Sequence, residues 1–245
     1  MLKKYKRGNK MKLSDNMINY KTAGRLFGIF FILTFIFYGV GSGVIGSITG
    51  GPDILTNVFE HKTLIIVGAI FMALFHTILN IALPVIMLPI LKPFHKNLVY
   101  GYLSAAIAST VILVVGAIFL LLLLPLSDEF VKASSEIIPY YETLAIIFTK
   151  GNFFAYQLGM ALWGIGGLML CTILFQSKLI PRLISVWGLI GYIIFISGTI
   201  LELFGNSIGV ILSIPGGLFE FFLSFWLIFK GINGDLWEKQ ALKSD

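Results

Sequence analysis

The feature that most constrains this chain is the length of its uncharged runs. Leu26 to Pro52, Asn97 to Ser127 and Gly151 to Ser177 hold no Asp, Glu, His, Lys or Arg, and Thr63 to Leu91 holds only His76. Each exceeds the roughly 20 residues that cross a hydrocarbon layer as a helix. Two further stretches, about Leu183 to Gly205 and Val210 to Phe229, are broken only by Glu202 and Glu220. In lipid every backbone donor and acceptor must be satisfied internally, which leaves helices or closed barrels, and runs this apolar lack the alternation of barrel strands. The expected fold is all-α, a polytopic bundle of six transmembrane helices, and composition agrees. Only 12% of the 245 residues are charged, whereas soluble domains average about a quarter.

Charge distribution sets the expected orientation. With six spans, fifteen of the eighteen Lys and Arg residues fall on one side: eight before the first span, Lys92 and Lys96, Lys178 and Arg182, and Lys230, Lys239 and Lys243. The other side receives Lys62, Lys132 and Lys150 together with six acids. The positive-inside rule then puts both termini in the cytoplasm and the protein in the cell membrane. Residues 1–24 read as a basic cytoplasmic leader and 25–231 as the transmembrane domain. Its spans lie near 25–48, 63–91, 98–126, 151–176, 183–205 and 209–230, and 232–245 form a cytoplasmic tail. The first apolar run is too long for a cleaved signal peptide. The leader is expected to meet anionic lipid headgroups, not nucleic acid. A homo-oligomer or a membrane-protein partner is the other expected contact.

Local signals fill in the plan. In GVGSGVIGSITGG, residues 39–51, Gly39 and Gly43, then Gly46 and Gly50, have the small-xxx-small spacing that lets helices approach closely. Ile54, Leu55, Val58 and Phe59 recur at helical spacing and predict a short helix along the outer surface. Pro139 is expected to break any helix in the long outer segment 127–151, a connector or a lid. Trp187 and Trp226 sit where indoles anchor at a membrane interface, and Gly231 reads as a helix C-cap. Cys171, the single cysteine, excludes an intrachain disulfide and reads as packing. The second and third spans share a layout with the fourth and fifth, which hints at a distant repeat.

The stretches SKLIPRLISVWGLIGY and IPGGLFEFFLSFWLIFKGI, with the six-span layout and the LKP turn, resemble the domain of unknown function 4386 family of bacterial multi-span proteins over about residues 20–233. The resemblance implies a membrane protein and no established activity. Its Arg and Glu after a G-Y pair in the third span have no counterpart here, where Gly101 and Tyr102 precede SAAIAST. Its final-span acid corresponds to Glu220.

That acid is the candidate for function. At 100° per residue Ser213, Gly217, Glu220 and Ser224 share one face of the sixth span. Similar small or polar stripes run through Ala73, His76, Asn80 and Pro84, through Gln157, Ala161, Gly164, Gly167 and Cys171, and through Gly188, Gly191, Gly198 and Glu202. A charged group at the bilayer centre costs roughly 2.5 to 3.5 kcal/mol on insertion scales, so these faces should turn inward. His76, Asn80 and Glu220 are expected to form a hydrogen-bonded cluster at the midplane, with Gln157, Glu202 and Asn206 extending a polar track outward. The same residues could instead only join helices.

No catalytic chemistry is legible. H-E-x-x-H and G-x-x-x-x-G-K-[ST] are missing from the chain, the one G-x-S-x-G, residues 205–209, follows no predicted strand, and His61, His76 and His95 lie at three different membrane levels. The chain therefore reads as a non-enzyme without a cofactor or metal. One reading is a carrier or binding protein for a small solute, ion or proton; the alternative is a non-catalytic accessory, stress or immunity-type protein acting through helix contacts.

Overall fold

The computed structural model describes residues 19–244, and the described chain is helical with no strands. Six helices are long and apolar enough to cross a membrane. These are α1 (Tyr20–Thr49), α3 (Lys62–Leu91), α4 (Lys96–Leu121), α6 (Ile138–Ser177), α7 (Arg182–Leu203) and α8 (Gly209–Phe229). Short helices α2 (Ile54–Glu60) and α5 (Leu123–Phe130) follow α1 and α4, and α9 (Gly234–Ser244) ends the chain. The basic leader expected over 1–24 lies outside the described residues as far as residue 18.

The spanning helices form a ring in chain order. α1 packs on α3, α3 on α4, α4 on α6, α6 on α7 and α7 on α8, and α8 closes back on α1. Antiparallel neighbours joined by short turns bury their small and apolar faces this way. At the α1–α3 contact a Cβ on Gly41 would sit 2.6 Å from the carbonyl oxygen of Gly68, and at the α7–α8 contact one on Gly191 would sit 3.1 Å from the Cα of Gly216. The first approach requires glycine, and the second is tighter than an ordinary van der Waals contact.

The two ends of the ring differ. On the side bearing the termini, large side chains fill the interior: Phe27, Tyr102, Tyr192, Phe219, Leu83 and Met87 are at most 1% exposed. Helix α9 crosses that face. Gln240 Nε2 donates to the Pro93 carbonyl at 3.0 Å, Asn233 N donates to the Leu179 carbonyl at 2.8 Å, and the Trp237 ring lies 5.5 Å from that of Tyr20. On the far side a second apolar cluster joins Ile45, Ile48, Leu55, Val58, Leu123 and Ala145. Lys62 pairs there with Asp128, tying α3 to α5.

Several local expectations need correction. Pro139 does not break a helix; it sits in the first turn of α6, where a missing N–H costs nothing. The 40-residue α6 therefore absorbs much of the expected connector; at 1.5 Å per residue it is roughly 60 Å long and rises beyond the ring. The expected short helix forms as α2 and buries Leu55 and Val58 in the far-side apolar cluster. Trp187 is more than an anchor, since its indole donates to the Pro215 carbonyl at 3.2 Å. Gly231 caps α8 with a left-handed φ of 72°, and Cys171 is fully buried.

The glycine pattern of α1 is the largest correction. A Cβ on Gly39, Gly43 or Gly46 would meet nothing within 4 Å. The α1–α3 contact uses Gly41 instead, and the small-xxx-small face borders open space. A matched pair of substitutions separates the two roles. Gly41→Ala is expected to destabilise the protein by about 1 to 3 kcal/mol through overpacking, whereas Gly39→Ala should be neutral or slightly stabilising by helix propensity; thermal unfolding in detergent compares them.

Candidate functional site: an intramembrane cavity with a carboxylate at its base

The open space beside α1 is a cavity of about 510 Å³ inside the ring. Gly39, Ser42, Gly46 and Thr49 of α1 form one wall at helical spacing, and Phe31, Phe35 and Tyr38 line its deeper part. Asn152, Tyr156, Met160 and Trp163 of α6 face them, and α3 and α4 supply His76, Asn80 and Ser109. Glu220 is the sole lining residue from α8. The lining residues that keep substantial exposure are Gly39 and Gly46, so the mouth lies along the far half of α1. Toward the termini the packed aromatic core closes it.

Glu220 is held by named donors. Trp163 Nε1 donates to its Oε1 at 2.9 Å and Tyr192 OH donates to the same oxygen at 2.6 Å. Hydrogen bonds to an ionised acceptor are shorter and about twice as strong as neutral ones, which offsets part of the cost of a carboxylate at this depth. The ring of Tyr192 reaches the acid because position 167 on α6 is glycine; a Cβ there would collide with that ring. Tyr192 is also wedged edge-on against Phe219, ring centres 5.7 Å apart. Both donors engage one oxygen, which leaves Oε2 of this cavity-lining residue without a hydrogen-bond partner among the described residues.

The other two members of the expected cluster line the same cavity but bond elsewhere. Asn80 Nδ2 donates to Thr110 Oγ1 at 3.4 Å. His76 packs its ring edge-on to Tyr38, centres 5.0 Å apart, and its Nδ1, though buried, has no hydrogen-bond partner among the described residues. Ser109 Oγ is buried and equally unpartnered. Buried polar groups without protein partners are the exception in folded chains. His76 also follows directly on a π-helical turn, Phe71–Phe75, closed by His76 N donating to the Phe71 carbonyl. Single π turns inside α-helices recur at functional sites.

The expected outer track does not form. Gln157 is buried on α6 outside the cavity lining, Asn206 is exposed in the α7–α8 turn, and Glu202 Oε1 accepts from Gly209 N at 2.8 Å, capping the start of α8. The polar residues along the wall are Ser42, Thr49 and Asn152 instead. Gly217, placed on the Glu220 stripe, packs on nothing, and its neighbour Gly216 makes the helix contact. The missed residues, Trp163 and Tyr192, carried a signal: each puts a polar handle at mid-span, and a buried indole or phenol needs a partner.

Removing one donor from the buried acid is expected to cost about 1 to 3 kcal/mol. Tyr192→Phe should lower the thermal midpoint accordingly. Combining it with Glu220→Gln should cost less than the sum of the single changes, as for any pair in one network; additive losses would show that the 2.6 Å bond carries no weight.

No curated protein and no solved structure matches the chain. One family model does, that of the Domain of unknown function (DUF4386), over residues 26–231. That match takes in all six spanning helices but the first turn or so of α1, together with the cavity and its carboxylate, and the chain belongs to the DUF4386 family.

Proposed function

We propose that this protein is a small-solute carrier or binding protein of the cell membrane, with the cavity as its binding site and Glu220 as the recognition group at its base. The observation that carries the reading is the coincidence, in one cavity of about 510 Å³, of a doubly held carboxylate and two unpartnered buried polar groups. Ligand sites typically fall in the range of 300 to 1,000 Å³, largely apolar with a few convergent polar groups. The positive-inside rule, applied to the basic residues of the termini side, turns the mouth of the cavity outward. A cavity closed on one side at mid-depth is one state of an alternating-access cycle, in which helices rock around a fixed site.

The alternative, an accessory protein working through glycine-rich helix faces, draws less support. Of the face it relied on, Gly39 and Gly46 line the cavity.

Flux through liposomes tests the carrier reading. Purified protein is expected to move a member of a broad solute panel, with the rate falling at least about tenfold in Glu220→Gln and in the cavity-filling variant Gly39→Leu. Equal flux in wild type, both variants and empty vesicles, with no solute raising the thermal midpoint of wild type, would contradict both the carrier and the binding form of the proposal.

A further inference from the structure

The chemistry of the cavity wall specifies a class of ligand. The carboxylate shares its cavity with two groups of packed aromatic rings. Trp163, which donates to Glu220, meets Phe31 edge-on with centres 5.9 Å apart; Phe31 stacks on Phe35 at 5.9 Å, and Tyr38 stacks on Tyr156 at 5.7 Å. All five rings line the cavity, and no lysine or arginine does. The acid therefore has no lysine or arginine as counter-ion among the lining residues, and its second oxygen has no hydrogen-bond partner among the described residues.

An anionic solute would meet a carboxylate and the negative faces of aromatic rings, and would be repelled by both. A neutral solute would be matched only with the acid protonated, because an ionised Glu220 without a counter-charge is costly in a medium of low dielectric constant. A cation satisfies every element at once, pairing with Glu220 and resting on ring faces whose quadrupole attracts positive charge. We infer that the cavity binds a small organic cation, an amine or quaternary ammonium compound, between the Glu220 carboxylate and the aromatic wall of Phe31, Phe35, Tyr38, Tyr156 and Trp163. The inference rests on the binding site proposed above and names its substrate class.

Ligand binding to the full-length protein in detergent, followed by thermal shift and by quenching of tryptophan fluorescence, tests it. The probes are tetraethylammonium, choline and 3,3-dimethylbutan-1-ol, the uncharged carbon isostere of choline, with a panel of neutral sugars and of carboxylates alongside. The cations are expected to bind, the isostere at least about tenfold more weakly than choline. Glu220→Gln should abolish the preference for charge. Tyr38→Leu should weaken cation binding by roughly 3- to 30-fold, and Tyr38→Phe, which keeps the ring, by less than about threefold. Should Glu220→Gln not fold, the Tyr38 pair and the isostere comparison decide the matter without it. Equal binding of choline and its isostere, or Glu220-dependent binding of a carboxylate or sugar in place of the cations, would overturn the cation assignment and leave the binding site standing. No binding from any class would overturn both.

Discussion

The bond between the Tyr192 hydroxyl and Glu220, at 2.6 Å, is the interaction on which the interior of this protein depends. A carboxylate at the middle of a membrane-spanning helix is tolerated only when donors reach it, and here the donors come from two other helices. That requirement fixes the relative rotation of α6, α7 and α8. It also explains Gly167, since any side chain at that position would occupy the space of the Tyr192 ring. One expensive group thus organises three helices, and the cost is met by geometry that a random assembly of apolar helices would not supply.

The ring gains a cavity because two kinds of small residue do different work on α1. Gly41 lets α3 approach, and this contact holds the two helices together on one side. Gly39, Ser42 and Gly46 lie on another face and keep the opposite space clear. The large core side chains cluster toward the termini, where α9 straps the turns between helices. The outcome is a vessel with a sealed end and an open one, its acid at the floor. Such polarity is what a membrane protein needs in order to present a site to one compartment at a time.

Much of this architecture could be read from the chain before any coordinates. Six apolar runs in lipid admit only helices, and the energetic cost of Glu220 and the burial of His76 and Asn80 on helical faces point them inward. The hydrogen bonds of the site were not legible, because pairing between positions 163, 192 and 220 depends on helix rotation and depth, which periodicity leaves free. Gly39 and Gly46 were ambiguous for a physical reason: a glycine that admits a neighbouring helix and one that borders a cavity look alike in sequence. Pro139 was ambiguous in the same way, since a proline that stops one helix is equally suited to start the next. The π turn before His76 leaves no mark in composition at all.

Solvent access beside α1 tests the account most directly. Gly39 and Val40 are neighbours at the same depth, and both keep exposed surface, but only Gly39 lines the cavity. A membrane-impermeant thiol reagent added outside intact cells is expected to modify Gly39→Cys and to spare Val40→Cys, with buried Cys171 silent in both. Equal reactivity at the two positions, or reaction of Gly39→Cys only from the cytoplasmic side, would contradict a solvent-filled cavity that opens outward.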